Sequence, residues 1–191
     1  MSIVPNTLTI SRIAVTPMVL ALLFWDTLTG QGLALVLFVL AAISDYWDGR
    51  LARSMGAVSR LGKFLDPMAD KVLVLGTFVT LSILLPDVAP WWAVALIGLR
   101  DVVVTTLRIR AESQGQTLQT LPLAKTKTTL QLVYLIGVLV LLVARHVPGI
   151  VATGAEWVLG SMIPVVLLCI IVALTVYTGA GYLMRSESLR G

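Results

Sequence analysis

The sequence predicts an all-α polytopic membrane protein with six transmembrane helices and a short N-terminal interfacial helix, forming a single membrane domain over residues 1–191. Three observations carry this expectation. Apolar residues make up 58% of the chain and charged residues only 13%, a balance outside the range of soluble domains. The apolar residues gather into six runs, at roughly 9–25, 32–48, 67–85, 90–108, 129–145 and 156–183, of a length suited to bilayer helices. Lys and Arg fall in alternate connectors, as the charge asymmetry of membrane proteins requires.

The first run follows Pro5-Asn6-Thr7-Leu8-Thr9 and Arg12, a polar helix start with Asn6 or Thr7 as cap. An interfacial anchor and a substrate contact are equally compatible with it. No small-residue cleavage site follows Trp25, so the run reads as a retained span rather than a signal peptide. The second run is short: 13 residues separate Gly32 from Asp45, about 20 Å of a core of roughly 30 Å. The first acids after it are therefore expected below the membrane surface, in a polar cavity.

Connectors 26–31, 86–90 and 146–156 lie on one side with Arg145 as their basic residue, and Trp25, Trp91, Trp92 and Trp157 mark that side's aromatic belt. The opposite side holds Arg50, Arg53, Arg60, Lys63, Arg100, Arg108, Arg110, Lys125 and Lys127 and is expected to face the cytoplasm, with both termini, across the cell's inner membrane. The tail over 185–190 is expected to touch anionic membrane lipid. His146 reads as structural or solvent-facing and Trp47 as helix packing. Cys169 is the chain's one cysteine, so it forms no internal disulfide and reads as core or lipid-facing packing. The net charge of +4 suits an anionic membrane surface and does not imply nucleic acid.

Residues 45–71 organise the rest. Asp45, Asp48, Gly49, Ala52 and Gly56 fall within about 100° of one helix face, so two carboxylates share a stripe with side chains too small to block access. Asp66 and Asp70 are four apart and share another face, and Pro67 is expected to open a new helix with Asp66 as its cap. Four carboxylates near lipid repel one another unless a cation lies between them. All-carboxylate donors without nearby His or Cys suit Mg²⁺ or Mn²⁺ over zinc. Small residues beside the acids leave room for something bulky, and Arg53 is placed to meet an anion such as phosphate.

A second group follows. Arg100-Asp101 interrupts an apolar helix, Arg108 and Arg110 end it, and Lys125-Thr126-Lys127-Thr128 opens the next. An intramembrane arginine needs a partner: Asp101, the acidic motif or a bound anion. Arg100, Arg108, Lys125 and Lys127 together are expected to form a pocket for a phosphate on a second substrate, while Arg110 is as readily a topological charge.

The spacing D-x2-D-G-x2-A-R-x8-G-x3-D-x3-D from Asp45 to Asp70 matches, position for position, the signature of the CDP-alcohol phosphotransferase family, which the chain resembles over nearly its whole length. The resemblance implies that Asp45, Asp48 and Asp66 bind two divalent ions, that Asp70 acts as the base and also touches a metal, and that Gly49, Ala52, Arg53 and Gly62 line the cytidine diphosphate site of CDP-diacylglycerol. It also implies a homodimer. Leu65-Asp66-Pro67, Ala69-Asp70-Lys71 and Lys125-Thr126-Lys127-Thr128 look most like the branch using glycerol-3-phosphate as acceptor. Asp101 departs, because that branch commonly has Glu there, whereas Asp resembles the branch that uses phosphatidylglycerol and makes cardiolipin. Inositol phosphate and serine are further acceptors within the family. A divalent-cation transporter is the alternative of another class; the one-sided acids, the lack of a repeat and the fixed Gly-x2-Ala-Arg stand against it.

Overall fold

The computed structural model describes the backbone of residues 14–55, 60–113 and 122–188, and the side chains of 14–44, 71–107, 109–111 and 126–184. The described residues are helical throughout, joined by turns, with no strand among them. In chain order the helices are α1 (Ala14–Leu23), α2 (Leu28–Met55), α3 (Arg60–Leu84), α4 (Trp91–Ser113), α5 (Pro122–Ala144), α6 (Ile150–Leu159) and α7 (Ile163–Ser188). The expected interfacial helix and the start over 5–12 lie outside the described residues.

Among the described residues each expected apolar run falls mainly on helix, but three boundaries differ. Pro67 does not open a helix, and Asp66 is not its cap: α3 starts at Arg60 and runs through both. A proline inside a helix removes one hydrogen bond, here to the Lys63 carbonyl, and the ladder around it is otherwise built from ordinary helix formers. The run over 156–183 is two helices rather than one. Gly160 N–H donates to the Glu156 carbonyl at 2.9 Å, and Ser161 Oγ donates to the Val158 carbonyl while accepting from Ile163 N–H. One serine thus closes α6 and opens α7, and Pro164 in the first turn of α7 has no helical partner to lose. The connector over 146–156 is accordingly mostly α6, entered through Gly149 at φ 97°, a conformation that favours glycine. Finally, α2 begins at Leu28, where Thr27 Oγ1 accepts from Gly30 N–H at 3.1 Å as an N-cap. Its apolar part, Leu28–Ser44, covers about 25 Å, more than the 20 Å expected.

The core lies where α1, α2, α3, α4, α5 and α7 meet. Phe38, Phe78, Leu81, Ile97, Leu135 and Leu168 are fully enclosed there. Phe78 stacks on Tyr134 with ring centroids 5.9 Å apart, and Tyr134 Oη donates to the Val88 carbonyl at 2.8 Å, which ties the α3–α4 connector into the bundle. Outward, α2 exposes Leu33, Val36, Leu40 and Ile43, and α7 exposes Val166, Leu167 and Ile170. Apolar stripes of this extent need an apolar environment. The segments Thr126–Ala144 and Ile163–Met184 are long and apolar enough to cross a membrane by themselves. In α4 the apolar pattern is broken by Arg100 and Asp101.

Candidate active site

The signature lies where α2 ends and α3 begins. Asp45, Asp48, Gly49, Ala52 and Arg53 are on the last three turns of α2, and Gly62, Asp66 and Asp70 on the first three of α3. Their side chains lie outside the described residues, as do those of Arg108 and Lys125. Backbone spacing puts Asp45 and Asp48 three apart on one helix and Asp66 and Asp70 four apart on the next, each pair on a shared face. Among the described residues, no three His, Cys, Asp or Glu side chains converge, so a metal assignment rests on the signature. Its carboxylate donors fit a hard divalent ion.

Directly beyond Asp70 the described side chains form a polar cluster. Lys71 crosses from α3 to α4, where its Nζ donates to the Asp101 carbonyl at 3.0 Å and to Thr105 Oγ1. Thr105 Oγ1 in turn donates to the same carbonyl at 2.6 Å. Asp101 Oδ1 accepts from Lys127 Nζ on α5 at 2.5 Å and from Arg100 Nη1 at 3.1 Å. The Lys127 side chain is 1% exposed and that of Asp101 10%. Arg100 also reaches α7, where Nη2 donates to Thr178 Oγ1 at 3.1 Å and the guanidinium lies over the Tyr182 ring, 5.8 Å from its centroid.

Sequence reasoning grouped Arg100, Arg108, Lys125 and Lys127 into one pocket. Arg100 and Lys127 do converge, and the group that joins them is Asp101. The additions from Lys71, Thr105, Thr178 and Tyr182 were not anticipated. For the α7 residues a signal existed: Thr175, Thr178, Gly179 and Tyr182 follow i, i+3, i+4, i+7 spacing, a stripe of hydroxyls and glycine in an otherwise apolar helix.

One carboxylate serving two buried side-chain cations leaves the Arg100–Asp101–Lys127 trio with net positive charge. In a low-dielectric setting such a trio favours an incoming anion. Arg100 lies nine residues beyond Trp91 in α4, about 14 Å along its axis, so the charge is held within the length of the bundle rather than at its rim.

At the opposite end a second polar group joins the α1–α2 connector to the end of α5. Asp26 Oδ1 accepts from Arg145 Nη2 and from Gln31 Nε2, and His146 Nε2 lies 3.1 Å from Gln31 Oε1. His146 is thus structural, as expected. Cys169 is exposed on α7, not packed in the core.

The bundle carries carboxylates paired on consecutive helices beside the cluster of Arg100, Asp101 and Lys127. The chain belongs to the CDP-alcohol phosphatidyltransferase family, whose sequence profile matches residues 2–184. It is 33% identical over 178 residues to the CDP-diacylglycerol--glycerol-3-phosphate 3-phosphatidyltransferase of Rickettsia bellii, covering 93% of this chain and 92% of that one. The protein of the same name from Cereibacter sphaeroides is 35% identical over 157 residues, 81% of this chain and 71% of the other. A probable phosphatidylglycerophosphate synthase of Mycobacterium tuberculosis is 34% identical over 189 residues, 95% of this chain and 80% of its own length.

Proposed function

We propose that the chain transfers the phosphatidyl group of CDP-diacylglycerol to the primary hydroxyl of glycerol-3-phosphate, giving phosphatidylglycerophosphate and CMP. It acts as a single-domain, six-span homodimer of the inner membrane, with the signature and both termini toward the cytoplasm. The observation that supports this best is the buried cationic trio of Arg100, Asp101 and Lys127, which Lys71 joins to the helix carrying Asp66 and Asp70. A phosphorylated acceptor drawn to the trio has its hydroxyl beside the signature.

Asp45, Asp48 and Asp66, with Asp70, are the residues that would hold Mg²⁺ or Mn²⁺, as two ions. Bound divalent metal supplies charge neutralisation at the diphosphate as CMP leaves. Gly49, Ala52 and Gly62 leave room for the cytidine diphosphate, and Arg53 pairs with its phosphate. Arg100 and Lys127, with Arg108 and Lys125, hold the acceptor's phosphate. Asp70 accepts the proton of the attacking hydroxyl; an O–P bond forms to the acceptor as the bond to CMP breaks.

The test is CMP release by the purified protein with Mg²⁺ and CDP-diacylglycerol, against glycerol-3-phosphate, phosphatidylglycerol, inositol phosphate and serine in separate reactions. Release with glycerol-3-phosphate is expected; release with phosphatidylglycerol alone moves the chain to the cardiolipin-forming reaction. Asp70→Asn should retain CDP-diacylglycerol binding and lose on the order of 10²-fold or more in turnover, and ordinary turnover in that variant removes Asp70 from the base role.

A further inference from the structure

The face of α7 that meets α4 has features that helix packing alone does not require. Thr178 has one hydroxyl proton, which goes to the Leu174 carbonyl at 2.9 Å or the Thr175 carbonyl at 3.0 Å. Its oxygen therefore presents a lone pair to Arg100, and Nη2 donates to it. One turn on, Tyr182 is 1% exposed and lays its ring under the same guanidinium, an arrangement that favours a cation held over the ring. Between them sits Gly179. A Cβ there would come within 2.9 Å of Arg100 Cγ, closer than real Cβ contacts allow. The arginine stem has little freedom to yield, because Asp101 holds one arm of its fork and Thr178 the other. Among the described residues Arg100 Nε is buried without a hydrogen-bond partner, and a Cβ on Gly179 would lie 3.9 Å from it. The guanidinium is thus held close to α7 although, among the described residues, its Nε donor meets no acceptor there.

We infer that Thr178, Gly179 and Tyr182 are positioning residues for the acceptor: together they fix the place and plane of the Arg100 guanidinium, so that the last helix takes part in acceptor selection. This rests on the reading of Arg100 as a contact to the acceptor's phosphate. An anion bound by a planar fork is sensitive to the direction of the fork as well as to its charge. A shift of the stem by a few tenths of an ångström at Gly179 therefore reaches the acceptor and leaves the diphosphate end of the reaction untouched.

The experiment uses the full-length protein in detergent, with CMP release followed at varied glycerol-3-phosphate and, separately, at varied CDP-diacylglycerol. Gly179→Ala and Thr178→Val should each raise the KM for glycerol-3-phosphate on the order of 10-fold and leave that for CDP-diacylglycerol within about twofold. Thr178→Ser, which keeps the accepting oxygen, should restore the parent value, and Tyr182→Phe, which keeps the ring face, should stay close to it. A second readout needs no turnover: glycerol-3-phosphate should raise the melting temperature of the parent and of Thr178→Ser more than that of Thr178→Val. In an Arg100→Ala background, Gly179→Ala should weaken this thermal shift no further. Equal rises in both KM values, or no rescue by serine, would overturn the inference and leave α7 a packing helix. If Arg100→Ala leaves the acceptor KM and the thermal shift unchanged, the acceptor-pocket reading itself falls. If Arg100→Ala weakens both while Gly179→Ala and Thr178→Val weaken neither, only the role of α7 falls.

Discussion

Two polar groups, one within the bundle and one at its end, use the same device in opposite surroundings. At each, an aspartate meets an arginine and a side chain from another helix: Asp101 with Arg100 and Lys127, and Asp26 with Arg145 and Gln31. The Asp26 side chain is 69% exposed and that of Asp101 10%. Exposed pairs are screened and contribute little, whereas a buried pair that loses one member leaves a charge without solvent. The Asp26 group therefore joins two connectors, and the Asp101 group holds charge between packed helices. The pairing geometry alone does not distinguish the roles; solvation does.

The largest effect that sharpens this contrast is expected from Asp101→Asn, which leaves Lys127 buried with no carboxylate and should lower stability by about 3–5 kcal/mol, read from denaturation in detergent. Adding Lys127→Met should recover much of that loss without recovering activity, since the buried charge is gone but so is the cation proposed to meet the acceptor. If Asp101→Asn is as stable as the parent, the two groups do not differ in the way described. Asp26→Asn should cost at most about 1 kcal/mol and leave both KM values unchanged. The smallest effect is that of salt: between low and high ionic strength the melting temperature of Asp26→Asn should approach that of the parent, while the deficit of Asp101→Asn persists, because screening acts on exposed charges.

Much of this was readable in the chain. Apolar runs located the helices because helix length in a membrane is set by bilayer thickness, and the acids declared themselves by spacing. Two kinds of feature were not readable. Where a helix ends depends on single side chains: Ser161 divides α6 from α7, whereas Pro67, the stronger local signal, fails to divide α3. Partner choice across helices is the other. Lys71 follows Asp70 in the chain, yet its side chain reaches α4. Asp101 reads as a departure at one position, and in the fold it is the carboxylate that brings Arg100 and Lys127 to one place. The spacing of the signature places its acids on faces of α2 and α3.

The hydrogen bond from Arg100 to Thr178 joins residues 78 positions apart in the chain. At about 5–20 residues per second of synthesis, α4 leaves the ribosome roughly 4–16 s before the helix that completes the surroundings of its arginine. Insertion of α4 alone carries Arg100 and Asp101 at a cost of about 2.5–3.5 kcal/mol each if they lie near the bilayer centre, and their mutual pairing is the relief available in that interval. The bond from Arg100 to Thr178 cannot form before α7 is made and has docked, so a nascent chain arrested before α7 is expected to lack that hold on its arginine and to keep the one from Asp101. Ribosome-bound intermediates of graded length, probed for protection of α4 from alkaline exchange or crosslinking, would time that docking directly.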